Sequence, residues 1–232
     1  MPTTTIGDII PILIGQLGNR NDLATKCTIW LAAAYIEVAM AYPFDELEKT
    51  ILDSAAVGVE YLDYPTDDNG EVVRAIKSIV LILSDGSTQP LQKKNIKVID
   101  RYHSTSKGPP SIYAPFESLV YLRPVPDRTY DLKWRVWRRP HLDTVVNDTV
   151  IELPDDWLEI VGYSAAIRGF TDLLEADKAA AIMQLLHGVT NPKTGAKLTP
   201  GLIAQKLLRK TVESEDSDYP IAPLTPTRRY SG

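Results

Sequence analysis

Cysteine, histidine and phenylalanine are all scarce in this chain of 232 residues, which holds one, three and three of them. A single cysteine excludes a disulfide within the chain. Cys27, set among apolar residues at helical spacing, reads as a buried structural thiol. The histidines, His103, His141 and His187, are far apart, and none sits beside a second His or a helical Glu at metal-ligand spacing. There is no G-x-G-x-x-G, no Walker-type phosphate loop and no G-x-S-x-G elbow. Basic excess is missing too: a formal net charge of −5 argues against a protein that lives on nucleic acid, though not against a local basic patch. Met1-Pro2-Thr3-Thr4-Thr5 lacks the basic start of a signal peptide. The longest apolar run, Leu23 to Ala41, carries Lys26 and Glu37 and is rich in alanine. It reads as a buried helix of a soluble protein that folds in the cytosol, with no membrane partner.

What is present is enough for a core, since 44% of the residues are hydrophobic. The clearest pattern lies in Ser111 to Pro140. Tyr130, Leu132, Trp134 and Val136 alternate with Asp131, Lys133 and Arg135, which puts the apolar set on one face of a strand. Leu119 to Arg123 forms a second strand, and Arg123-Pro124-Val125-Pro126-Asp127 connects the two because proline cannot donate to a ladder.

Towards the N-terminus, Asp8 is positioned to cap a short helix with Pro11 in its first turn, ending at Gly18-Asn19. Asn21 or Asp22 then caps a helix from Leu23 to Ala41, stopped by Pro43. Leu23, Cys27, Trp30, Ala34, Val38 and Ala41 share one face, while Ile29, Ala33, Ile36 and Met40 make a second. A helix apolar on two faces lies at the centre of a bundle, or it also meets another subunit.

From about Glu48 the pattern turns to strands. Thr66 to Glu71 is a solvated turn; its acidic run lacks the ligand spacing of a calcium loop. Val72 to Leu83 is β-prone and Ser84-Asp85-Gly86-Ser87 is a hairpin turn, with Leu91 to Ile99 expected to return as the next strand of an antiparallel meander. Tyr102 to Pro110 is a loop. Lys133, Arg135, Arg138 and Arg139, interleaved with Trp134 and Trp137, form the densest basic group. Such a group suits single-stranded nucleic acid, or it is the polar outer face of a half-buried sheet.

Helix returns at Leu153-Pro154-Asp155-Asp156-Trp157 and runs to about Glu175. Its polar stripe changes sides, from Asp155 and Glu159 to Arg168, Asp172 and Glu175, so its two halves bury against different neighbours or it bends. Glu152, Asp155 and Asp156 are explained by the helix start, without a catalytic carboxylate pair. Asp177 to His187 is helical, 188–197 has loop composition, and Thr199 with Pro200 is expected to open a last helix. The end is acidic and then proline-spaced; it is either disordered or docks in a partner's groove through Ile221, Leu224 and Tyr230. The fold class is α+β: an α-helical bundle (1–47 and 150–212), an inserted antiparallel β domain (48–149) and an extended C-terminal tail (213–232).

The order of these pieces resembles the head-to-tail adaptor (connector) proteins of tailed bacteriophages. The resemblance rests on Leu119, Tyr121, Leu122, Pro124, Pro126, Asp127, Tyr130 and Leu132, then Leu153 to Trp157, then Tyr163 to Ala166, and it covers most of residues 6–186. It implies a non-enzymatic structural protein of the virion neck without cofactors, assembled in the host cytoplasm. Such a protein forms a ring, expected to be dodecameric, between the portal and the next tail component, and it extends a channel for double-stranded DNA without reading its sequence. It also implies subunit contacts, for which Trp30, Ile36, Met40, Arg168 and Asp172 are candidates. A docking tail would use Tyr219, Ile221, Leu224, Arg228, Arg229 and Tyr230. A tail-completion or stopper ring is the neighbouring alternative, and a nucleic-acid-binding module a more distant one.

Overall fold

Thr5, not Asp8, opens the first helix of the computed structural model, which describes residues 4–102, 106–190 and 197–213. The chain divides into two compact units, Met1–Gly162 and Tyr163–Gly232. Helix α1 (Ile6–Gln16) begins with a capping box: the Thr5 hydroxyl accepts from the Asp8 N–H at 3.3 Å, and the Asp8 carboxylate accepts from the Thr5 N–H at 2.8 Å. Asp8 therefore stands three residues inside the helix, and these bonds hold its carboxyl below the usual range. Pro11 consequently lies within the helix rather than in its first turn. The chain then reverses through Gly18 and Asn19, at φ of 80° and 61°, conformations that suit glycine and asparagine.

A 3-10 turn at Asn21–Leu23 leads into α2 (Ala24–Ala41), and no side chain caps it, contrary to the expectation for Asn21 or Asp22. Asp22 instead pairs with Arg20 at 2.7 Å. Cys27, Trp30, Ala34 and Val38 are buried along one face, with Leu31, Tyr35 and Ala39 beside them. The helix with its leading turn is long and apolar enough by length and composition to cross a membrane. Its buried face is nonetheless packed within the protein, and burial raises the Cys27 thiol and pushes the Tyr35 hydroxyl up to about 12.

After α2 come β1 (Glu48–Ala55), β2 (Tyr61–Asp63), β3 (Ala75–Ile82), β4 (Thr88–Pro90), β5 (Gln92–Lys93), the one-turn helix α3 (Ile96–Ile99), β6 (Ile112–Phe116), β7 (Leu119–Arg123) and β8 (Tyr130–Trp137). They form two four-stranded sheets, in the orders β1-β8-β3-β4 and β2-β7-β6-β5. The expected alternation of β8 holds: Tyr130, Leu132, Trp134 and Val136 are buried, and Asp131 and Arg135 are exposed. Their buried faces share one core with Ile76, Ile79 and Leu81 of β3, Tyr113 of β6 and Val120 and Leu122 of β7, which makes a sandwich. On the far side of the second sheet, Ile112 and Ala114 pack with Ile99 and Ile96 of α3.

The expected turn at 84–87 closes the β3–β4 hairpin, with the Leu83 N–H donating to the Ser87 carbonyl at 2.8 Å. The expected meander beyond it does not form. Leu91, buried and donating its N–H to Ile79, carries the chain from one sheet to the other. There β5 pairs parallel to β6, and Ile96–Ile99 is helix rather than strand.

Two contacts fasten this sandwich to the helical segments of the first unit, and an aromatic cluster joins two of those segments to each other. The Arg74 guanidinium donates to the carbonyls of Ala39 and Tyr42 at 3.1 and 3.0 Å, satisfying the negative end of α2. Arg138, at the end of β8, makes a two-pronged pair with Glu152, with one N–O distance of 2.8 Å, and the Glu152 N–H donates to the Tyr35 hydroxyl. Tyr42 and Phe44, past the end of α2, enclose Trp157 at ring distances of 5.1 and 4.8 Å. Arg74→Ala is expected to cost about 1–2 kcal/mol, because it strands two helix-end carbonyls. In thermal unfolding this is a drop of roughly 3–6 °C, with the other contacts intact. An unchanged melting temperature would show that water replaces the guanidinium.

A 3-10 turn at Asp155–Trp157 leads into α4 (Leu158–Asp172), as the sequence indicates. The division between the two units falls at Gly162, between the two polar stripes of this helix. Within the second unit, α4 ends through Leu174 at a φ of 61°, with the Glu175 N–H returning to the Phe170 carbonyl at 2.8 Å. Helix α5 (Ala176–His187) follows, then the antiparallel pair β9 (Gly188–Thr190) and β10 (Lys197–Pro200), and α6 (Leu202–Glu213). The segment of loop composition is thus flanked by strands. Thr199 and Pro200 belong to β10 rather than to a helix start: the Thr199 hydroxyl accepts from the Val189 N–H at 3.3 Å. The structure bears out mixed α and β; the tail at 214–232 lies outside the described residues.

Candidate assembly surfaces

The uncovered apolar surface of the first unit lies along α2. Ile29, Ala33, Ile36 and Met40 step by four, three and four, so they form one stripe on the helix. Ile29 is 63% exposed and Ile36 37% exposed, while Ala33 and Met40 are half-buried. The helix is therefore open on one flank rather than enclosed. Trp30 lies on the other face at 5% exposure, within the protein's own core.

At its N-terminal end the stripe runs into a groove between α1, α2 and the segment before α4, lined by Ile10, Thr25, Ile29, Val145, Val146 and Asn147. Val145 is 58% exposed. The groove wall is fixed by the Thr28 hydroxyl, which donates to the Asn147 side-chain oxygen at 2.9 Å. It is anchored further by the N–H of Ile6, which donates to the Thr149 carbonyl, and that of Ile151, which donates to Thr4. Ile10, Val145 and Val146 were not among the expected site residues. The only sequence signal for the last two is an adjacent apolar pair in an otherwise polar loop, Asp143 to Asp148.

The outer face of the first sheet is also uncovered. Register places Lys133 opposite Leu52 and Val80, and Arg135 opposite Thr50 and Ser78; Leu52 is 72% exposed. The basic group is therefore split. Lys133 and Arg135 lie on the open face, whereas Arg138 is spent on Glu152. Trp134 points into the core, as the alternation of the strand indicates, so Lys133 and Arg135 stand on a polar outer sheet face without it.

Several charged side chains elsewhere are engaged within the fold. A polar hollow at the start of β1 contains Glu48, Lys49, Asp67 and Asp68. Lys49 pairs with Asp68, and Glu48 with Lys77 at 2.6 Å. Asp67 accepts the N–H groups of Asn69 and Glu71, the bonds of a self-capped turn. Among the described residues no group of three or more His, Cys, Asp or Glu is arranged to hold a metal. Arg168 and Asp172 are exposed one turn apart on α4, within the second unit. Tyr219, Ile221, Leu224, Arg228, Arg229 and Tyr230 lie outside the described residues.

A two-sheet sandwich fastened to helices, with an open apolar helix flank, makes this a mixed α+β protein. The chain belongs to the SU10 adaptor protein family, whose model matches residues 4–191. This places it among the adaptor-type structural proteins of bacteriophages. No curated protein matches the chain.

Proposed function

We propose that this protein is a non-enzymatic head-to-tail adaptor. In this reading it forms a ring, of dodecameric order, between the portal and the next component of the tail, and extends the channel through which double-stranded DNA passes. Its place is the neck of the virion, after assembly in the host cytoplasm. The observation that carries the reading is the family match combined with the open stripe of Ile29, Ile36 and Met40 on α2. A ring needs heterologous contacts, in which one surface of a subunit meets a different surface of the next. The α2 stripe is one such surface, and exposed Arg168 and Asp172 are candidates for another. The net charge of −5 suits a conduit along which DNA slides without being held.

Light-scattering mass of the full chain, alone and mixed with the portal ring of the same phage, tests the proposal. A multi-copy complex with the portal is expected. Loss of that complex on deleting residues 213–232 would make the tail part of the portal joint; survival would move the joint to the helices. No association at any salt concentration would overturn the adaptor reading in favour of a stopper ring.

A further inference from the structure

The sandwich has four sheet edges, and three of them are short. β2 and β4 have three residues each, β4 ending in Pro90, and β5 has two, running into Lys94. Shortness, proline and lysine are the usual means of keeping an edge from pairing with another chain. The fourth edge, β1, is eight residues long, free of proline and glycine, and pairs only with β8. Thr50, Leu52, Asp53 and Ser54 are exposed along it, Leu52 at 72%. Which of its backbone groups face outward follows from one bond. The Arg138 N–H donates to the Leu47 carbonyl, in line with the register that pairs Glu48 with Trp137. Bonded and unbonded pairs alternate in an antiparallel ladder, so the odd-numbered residues of β1 bond to β8. Thr50, Leu52 and Ser54 therefore turn their N–H and carbonyl groups to the free edge. The Ser54 N–H is taken by the Asp53 carboxylate at 2.7 Å, which leaves Thr50 to Leu52 as the open stretch.

We propose that this edge takes an extended, acidic segment of a partner protein as a fifth strand of the first sheet, with a carboxylate opposite Thr50 and an apolar residue opposite Leu52. Main-chain bonds to Thr50 and Leu52 hold such a strand, and the side chains beside them choose it. On the open face Arg135 stands next to Thr50 and Lys133 next to Leu52, and neither is ion-paired among the described residues. Strands lie about 4.8 Å apart, so a residue opposite Thr50 is about 10 Å from Arg135, with only the small threonine between them. A guanidinium and a carboxylate extended over it can meet. Leu52 instead calls for an apolar neighbour, the other favourable kind of cross-strand pair. Asp131, the acid of this face on β8, lies beyond the open stretch, opposite Ser54. A second copy of β1 is the weaker occupant, since its own open-face acid, Glu48, is spent on Lys77 at 2.6 Å. The contact is separate from the α2 stripe and does not depend on ring formation.

The probe is the peptide acetyl-Thr-Thr-Val-Val-Glu-Thr-Thr-amide, whose antiparallel register sets the first Val opposite Leu52 and the Glu opposite Thr50. Backbone hydrogen exchange of the full chain is the readout. At about 1 mM peptide the N–H groups of Thr50 and Leu52 are expected to slow by about twofold or more, the effect of half occupancy. That of Ile51, already in the ladder, should not change. With Lys in place of the peptide's Glu the slowing should be lost. Arg135→Glu alters an exposed side chain away from the edge and should reverse the preference, so that only the Lys peptide slows exchange. Thr50→Pro removes a donor on the free side, which an edge strand tolerates, and should abolish protection of Leu52 with the circular dichroism unchanged. If that variant does not fold, the Arg135→Glu exchange of preference decides alone. Equal protection by the two peptides, or none by either, would overturn the proposal. Slowed exchange that rises with protein concentration in the absence of peptide would overturn it in favour of a second copy.

Discussion

Trp134→Ala is expected to destabilise the β sandwich severely. The side chain is wholly buried, and its neighbours across the ladder are Ile51 on β1 and Ile79 on β3. It thus fills the middle of the core that the two sheets share. Removing an indole from such a site costs about 3–5 kcal/mol in lost transfer energy and residual cavity. That is a large part of the roughly 5–15 kcal/mol that holds a domain folded. Trp134→Phe should behave differently. The indole N–H is buried without a hydrogen-bond partner, so its removal breaks no bond, and only the loss of volume remains, about 1–2 kcal/mol. Guanidinium unfolding of the full chain, followed by circular dichroism, separates the two. Equal costs would mean that the N–H is bonded after all and that the polar half of the ring matters as much as its bulk.

Trp134 also shows which parts of the fold can be read from the amino acids. A strand buried on one face writes its environment as alternation, and β8 does so over eight residues. The hairpin at 84–87 is legible because Gly86 takes a φ of 80° that few other residues accept. The Leu153 to Trp157 segment is legible because a proline and two acids mark a helix start, although the ring's seat between Tyr42 and Phe44 is not. Strands of two or three residues, such as β2, β4 and β5, are too short to carry a period. The crossing between sheets at Leu91 depends on the shared core rather than on any local residue. Thr199-Pro200 has the chemistry of a helix start but lies in a strand, because its backbone is already paired with Gly188 and Val189. On α2 both apolar faces are visible in the sequence. Which one the protein covers is decided by residues more than a hundred positions away, Tyr35 meeting Glu152 being one instance.

That division of α2 predicts opposite outcomes for two substitutions on neighbouring faces. Trp30→Asp puts a carboxylate where the side chain is 5% exposed. Either the charge is buried or the helix leaves its seat, at a cost above about 4 kcal/mol, and the protein should not be recovered folded. Ile36→Asp changes a side chain already 37% exposed, so its effect on stability should stay near 1 kcal/mol. Its effect on assembly should be far larger. In a closed ring the same contact recurs at every subunit boundary, so a small loss at each boundary is multiplied around the ring. The expected result is a folded monomer whose circular dichroism matches the parent and whose light-scattering mass no longer rises on addition of the portal ring. Met40→Asp, farther along the same stripe, should reproduce that phenotype. Were Ile36→Asp to fold and still join a complex of parental mass, the open flank of α2 would not be a subunit contact. The heterologous surfaces would then have to be sought on the open face of the first sheet, beginning with Leu52 beside Lys133.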